Sequence, residues 1–138
     1  MKTPLLPPTP HSLTLVADDL PEKRGYLAEL AKGAHPESEI IEATSAVEAQ
    51  KIIDLLGEDQ IDYGVIDYDL GDGNGGEVIR SLRRKNLLAC IVLATARGGA
   101  SFEEEASPDA LANGANRALT LSKPDFEGEL ADSLMTAA

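Results

Sequence analysis

The sequence predicts an α/β fold, a parallel five-stranded sheet covered by helices on both faces. Three observations carry this. Short apolar runs rich in β-branched residues alternate five times with longer stretches at helical spacing. The third and fourth runs are nearly continuous apolar stretches, as strands buried on both faces should be. The length, 138 residues without an internal repeat, suits one domain that buries a core without a disulfide or metal staple.

Taken in order, "LTLVA" from Leu13 is the first strand. "PEKRGYLAELAKG" is the first helix, with Pro21 in its first turn, Leu27 and Leu30 on one face and Gly33 at its end. "SEIIEA" is the second strand. "SAVEAQKIIDLLG" is the second helix. It opens with Ser45 and Glu48 at capping-box spacing, runs on Val47, Ile52, Leu55 and Leu56, and stops at Gly57. "YGVID" is the third strand. "GGEVIRSLRRK" is the third helix, apolar at Val78, Ile79 and Leu82 and basic in its last turn. "ACIVLATA" is the fourth strand. A long, polar, acidic stretch, "RGGASFEEEASPDALANGA", follows, with a short helix expected after Ser107 and Pro108. "NRALTLS" is the fifth strand, and "DFEGELADSLMTAA" a terminal helix with Leu130 and Leu134 on one face.

The bulk properties narrow the function. A formal net charge of −12 repels phosphate backbones, so direct nucleic-acid binding is not expected and basic protein partners are. No apolar run is long enough to span a membrane. The start, "MKTPLLPPTPHS", lacks an apolar h-region and reads as an extended tail over residues 1–11, ahead of a domain at 12–138. Cys90, the one cysteine, reads as a small buried core residue, and a cytoplasmic home fits its lack of a partner.

In open parallel sheets, ligands sit beyond the carboxyl ends of the strands. There stand Asp18 and Asp19 after the first strand, Asp67 and Asp69 after the third, Thr95 after the fourth, and Lys123 with Pro124 after the fifth. Each alone has a plainer reading: a helix cap, an Asx turn, a strand residue, a solvated lysine. Jointly they are harder to dismiss, because they fall at four strand ends where apolar runs break off. Close carboxylates repel and protonate unless a cation neutralises them. Magnesium suits a site of few carboxylates, retained waters and a phosphate oxygen. A carboxylate beside it can attack phosphorus and form an aspartyl phosphate. The transferred group needs positioning and positive charge, which Lys123 and the Thr95 hydroxyl would supply.

The segment "VIDYDLGDGNGGEVI" does not fit a calcium loop. Counted from Asp67, the fifth position is Gly71 and the twelfth Val78; counted from Asp72, the twelfth is Arg83.

Four stretches carry a family resemblance, in order and at near-family spacing: "VADDLPEKRGYLAEL", "YGVIDYDLGDGNGGEVIRSLR", "IVLATA" and "LSKP". From about Leu13 to Leu134 the chain resembles the receiver domains of two-component response regulators. The resemblance implies a flavodoxin-like sheet of order 2-1-3-4-5. It implies phosphorylation of Asp67 by a histidine kinase or phosphotransfer protein, and slow autodephosphorylation rather than turnover as an ordinary enzyme. Asp19 and Asp67 would bind Mg²⁺ directly, Asp18 largely through water, and Asp69 through its backbone carbonyl. Thr95 and Lys123 would hold the phosphoryl oxygens, with the Lys123–Pro124 peptide cis as is usual in that family. A haloacid-dehalogenase-type phosphatase would share "DYD", but not an acid pair on the first strand.

The sequence also departs from the family. Gly71 stands where receivers usually carry proline and should loosen its loop. Thr120 stands where many have the aromatic that swings inward on phosphorylation. The stretch from Thr95 to Lys123 is longer than typical, the surplus being "GGASFEEEASPD". It reads either as a tolerated surface insertion or as a segment presenting Phe102 or its acids to a partner. Asp69 and Arg97, of opposite charge, flank the expected path of the hydrolytic water. The resulting expectation is a stand-alone receiver, a binding switch or relay carrier. A pseudo-receiver that never sees phosphate and a receiver fragment of a larger regulator are its rivals.

Overall fold

The computed structural model of the protein describes residues 12–136, so the expected tail over residues 1–11 lies outside the described residues. The elements are β1 (Leu13–Ala17), α1 (Pro21–Ala34), β2 (Glu39–Ala43), α2 (Ala46–Leu55), β3 (Tyr63–Ile66) and α3 (Gly75–Lys85). They are followed by β4 (Cys90–Thr95), a π-helical turn (Ser101–Ala106), α4 (Ser107–Ala112), β5 (Arg117–Thr120) and α5 (Phe126–Thr136). All strands pair in parallel, in the order β2-β1-β3-β4-β5. This is the predicted flavodoxin-like arrangement.

Side-chain alternation along each strand builds two core layers. Leu15 and Ala17 of β1, Ile66 of β3, and Ile91 and Leu93 of β4 face one side. There they meet Ala49 and Ile53 of α2, Val78, Ile79 and Leu82 of α3, and Phe102, Ala106 and Ala110. Val16, Val65, Val92 and Ala94 face the other side, against Leu27 and Ala31 of α1 and Phe126, Leu130 and Leu134 of α5. Every residue of β4 is buried, which explains its unbroken apolar sequence. Each fully buried Leu or Ile contributes about 1.5–3 kcal/mol of transfer free energy. Cys90 is buried as expected, its thiol donating to Ser133 O.

Several local expectations need correction. α1 does not stop at Gly33 but runs on through Ala34. The buried face of α2 is Ala46, Ala49 and Ile53, whereas Val47 and Leu55 are exposed. Small alanines let α2 lie close to the sheet, while Ile52 and Leu56 pack partly buried against the same core. Ser45 does cap α2, accepting from Glu48 N–H, but the Glu48 carboxylate returns to Thr44 rather than to Ser45.

The acidic stretch differs most. Helical structure begins well before Ser107, with the π-helical turn leading straight into α4. Phe102 is 8% exposed and lies in the core beside Ala106 and Ala110. Spaced four residues apart along the continuous π-turn and α4, the three face the same core. Phe102 is therefore a packing residue, not a presented one. Glu103, Glu104 and Glu105 are exposed, the last pairing with Arg97 at 3.5 Å.

Candidate functional site

The strand order reverses between β1 and β3, and the helices that follow them leave on opposite faces. This opens a crevice at their carboxyl ends. Ala17 pairs with both Ala43 and Ile66, so the next residues, Asp18 and Asp67, emerge side by side. Their amides are tied down, Asp18 N–H to Ala43 O at 3.1 Å and Asp67 N–H to Ala17 O at 2.9 Å. Asp18 is fully buried and Asp67 is 2% exposed. With Asp19 at the rim, the three offer carboxylate oxygens all within 4.8 Å of one another.

A lysine that the sequence reading did not single out enters this cluster. Lys23, from the first turn of α1, places Nζ 3.2 Å from Asp18 Oδ2 and 3.1 Å from Asp67 Oδ2. Burial opposes its charge, but the carboxylates of Asp67 and Asp18 outweigh that and hold the ammonium above its ordinary range. Burial pushes Asp67 up to about 6, with Lys23 opposing and Asp18 adding to the rise. Burial likewise raises Asp18, against the Leu20 N–H bond and Lys23 that lower it. Asp18 Oδ2 is buried and accepts no well-formed hydrogen bond; the Lys23 contact is an ion pair without hydrogen-bond geometry.

The acids of the β3–α3 loop divide their work. Asp67 accepts from Tyr68 N–H through Oδ1 at 2.8 Å. Asp69 is held by Arg97 in a bidentate pair, Nε to Oδ2 and Nη2 to Oδ1, both 2.8 Å. Those hydrogen bonds keep Asp69 below the usual carboxylate range. Asp72 caps α2 from across the crevice, accepting from Ala46 N–H at 2.7 Å and Val47 N–H at 3.0 Å. Asn74 caps α3 through Glu77 N–H. Gly75 is required by space, since a Cβ there would lie 2.1 Å from Asp67 O. Gly71 sits at φ +81°, a value closed to proline. Around it the loop is pinned rather than loose, by Leu70 N–H to Gly73 O and by burial of Leu70.

No family model and no curated protein matches the chain. Solved structures do match. A response regulator receiver domain protein from Clostridium thermocellum superposes with a TM-score of 0.73 at 20% identity, over 91% of this chain and 93% of that one. A LuxR-family two-component response regulator from Aurantimonas sp. SI85-9A1 gives 0.68 at 25% identity, over 88% and 81%. A response regulator from Burkholderia pseudomallei, with a phosphorylated aspartic acid, calcium ion and citrate, gives 0.68 at 22%, over 91% and 67%. This chain has the receiver-domain fold.

Against that fold the remaining site residues can be placed. Thr95 ends β4, fully buried, with its Oγ1 accepting from Arg97 N–H at 3.2 Å. Thr120 is its register partner on β5. In place of an aromatic, Thr120 is buried and donates to Arg97 O at 2.5 Å, sharing a further bond with Ser122. The slot is thus filled by a hydroxyl that ties β5 to the loop after β4. Lys123 follows β5, exposed and without an ion pair among the described residues. The turn after β5, closed by Lys123 N–H to Thr120 O, faces solvent, and the lysine beside Asp67 is Lys23 instead. The expected cis bond at Lys123–Pro124 is absent; the peptide is trans.

Arg97 does more than pair with Asp69. Its guanidinium stacks over the Tyr68 ring, 4.8 Å from the centroid, and reaches Ser101 Oγ at 3.2 Å. Tyr68 in turn donates to Asp109 Oδ2 at 3.1 Å. Tyr68 and Asp109, neither flagged by the sequence, link the β3–α3 loop to the added helical segment. The donor set of Asp18, Asp19 and Asp67 is all oxygen, with Asp18 Oδ2 buried and lacking a hydrogen-bond partner, and it fits a hard divalent cation.

Proposed function

We propose that the protein is a phosphorylation-controlled receiver that accepts a phosphoryl group on Asp67 from a histidine kinase or histidine phosphotransfer protein. It then acts as a protein-binding switch or relay carrier. The observation that carries this is the buried Asp67 carboxylate inside an acidic cluster at the β1/β3 switch point. The phosphorylated aspartic acid of the Burkholderia neighbour supports the same chemistry here.

In the transfer, an Asp67 carboxylate oxygen bonds to phosphorus as the donor's P–N bond breaks, and the imidazole leaves with the electron pair. In the later hydrolysis, water adds to phosphorus, the Asp67 O–P bond breaks, and inorganic phosphate departs. Asp67 must be ionised to attack. A value near 6 keeps it largely ionised at neutral pH and more basic than an exposed carboxylate. Asp18, Asp19 and Asp67, with the Asp69 carbonyl, would hold Mg²⁺, which when bound neutralises the crowded carboxylates and the phosphoryl oxygens. Thr95 would donate its hydroxyl to a phosphoryl oxygen. Lys123 would contribute by turning in from solvent. The acidic surface favours a partner with a basic patch over nucleic acid. Among the described residues no helix is long and apolar enough to cross a membrane, and a cytoplasmic setting is part of the same proposal.

A second reading, a binding module that never takes phosphate, draws on one observation: Lys23 already occupies the acidic cluster, paired with both Asp18 and Asp67. One experiment separates the two. Incubation with Mg²⁺ and acetyl phosphate should add a single phosphoryl group to the intact mass, and none in Asp67→Asn or without Mg²⁺. No adduct on the wild type would favour the phosphate-independent module.

A further inference from the structure

We propose that Lys23 is a tethered counter-ion that competes with the divalent cation for Asp18 and Asp67, so that loading the site requires the lysine to swing out. The inference rests on the receiver reading above and concerns this chain's own way of filling the acidic cluster.

The geometry makes the two occupants exclusive. Lys23 Nζ lies between Asp18 Oδ2 and Asp67 Oδ2, at 3.2 and 3.1 Å. Mg²⁺ requires its oxygen ligands at about 2.0–2.1 Å in a near-octahedral shell. An ion drawing on those two carboxylates would come into contact with the ammonium, and two cations that close repel strongly at a buried site.

The lysine is also built to leave. It sits in the first turn of α1 at the rim, its side chain 13% exposed, and the two carboxylates are its only ion-pair partners among the described residues. The Asp18 contact does not lock it. Asp18 Oδ2 gains no well-formed hydrogen bond from it, so the attraction is charge on charge rather than directional. Its neighbour Arg24 is anchored differently, to Glu42 Oε1 at 2.9 Å and Asp18 O at 3.0 Å, and is not free to replace it. A flexible four-carbon stem lets the ammonium reach solvent or, later, phosphoryl oxygens without moving the helix. Without metal, Lys23 keeps the crowded acids neutralised; with metal, it has no role between them. The consequence is a raised threshold for cation binding.

Titrating Mg²⁺ calorimetrically into wild type and Lys23→Met tests this without any phosphorylation. The variant should bind Mg²⁺ roughly tenfold more tightly or better, the scale of one contacting charge removed. Equal or weaker binding by the variant, with the wild type binding, overturns the competition and leaves the metal site standing. No Mg²⁺ binding by either protein overturns the metal site and this inference with it. Because Lys23→Met strips two buried carboxylates of their cation, a second measurement uses the wild type alone. Labelling by an amine-reactive ester, read by peptide mass, should be slow at Lys23 without Mg²⁺ and several-fold faster at saturation. An unchanged Lys23 labelling rate overturns the inference.

Discussion

Replacing Asp67 by asparagine removes a buried charge while keeping the side chain's size and its Oδ1 acceptor for Tyr68 N–H. The variant should be more stable than the wild type at neutral pH in the presence of a chelator. The folded state raises Asp67 from 3.8 to about 6, so it binds the proton more tightly than the unfolded chain does. Ionisation therefore opposes folding: the penalty is absent below pH ~4, grows between ~4 and ~6, and is complete above that. At about 1.4 kcal/mol per unit the gap corresponds to about 3 kcal/mol at pH 7.5 and about half that at pH 5. An amide NH₂ facing Lys23 forfeits part of the gain, which leaves about 1–3 kcal/mol, or about 3–10 °C in Tm. Urea denaturation of both proteins at pH 7.5 and pH 5 measures this. A variant less stable at pH 7.5, or a stability difference that widens at pH 5, refutes the reasoning.

Three other perturbations follow from the geometry. Arg97→Ala removes the guanidinium bonded to Asp69 and stacked on Tyr68, and should speed loss of phosphate from Asp67 several-fold by opening the path for water; an equal or slower rate in a phosphate-release assay contradicts it. Gly75→Ala drives a Cβ to 2.1 Å from Asp67 O and should cost at least about 2–3 kcal/mol, read as a lower urea midpoint; a stability within about 0.5 kcal/mol of wild type contradicts the crowding. Phe102→Ala empties a core position and should cost about 3–5 kcal/mol, so a calorimetric Tm close to that of the wild type would mean the added segment packs only superficially.

The fold was legible where one layer of information sufficed. The near-continuous apolar runs of β3 and β4 mark doubly covered strands, and Val78, Ile79 and Leu82 mark the inward side of α3. The side chosen for α2 misled because bulk is a poor guide when alanines form the contact: Ala46 and Ala49 are buried while Leu55 is 85% exposed. Phe102 misled for the opposite reason. Its acidic neighbours suggested surface, but a single aromatic four residues before Ala106 and eight before Ala110 was a packing signal.

The candidate site was legible to the extent that strand ends reveal it. Asp18, Asp19 and Asp67 converge because parallel register brings the ends of the neighbouring strands β1 and β3 together. The Asp69–Arg97 pair was legible from the family resemblance, which set two opposite charges at facing positions. Lys23 was not, since a lysine in "EKR" looks like any solvated helix residue. The available signal was positional: helical side chains lean toward the N-terminus, and Lys23 stands one turn after the acid pair. Lys123 shows the converse limit. Its place after β5 was correct, but its exposure follows from a turn whose geometry the sequence does not dictate.

The most direct test of the account is to locate the phosphoryl group itself. After incubation with Mg²⁺ and acetyl phosphate, borohydride reduction converts an aspartyl phosphate to homoserine, which peptide mass spectrometry assigns to a residue. The account predicts homoserine at position 67 and at no other aspartate, with none formed when Mg²⁺ is withheld. Reduction at Asp18, Asp19 or Asp69, or an unmodified Asp67 in protein carrying an acyl phosphate, would contradict it.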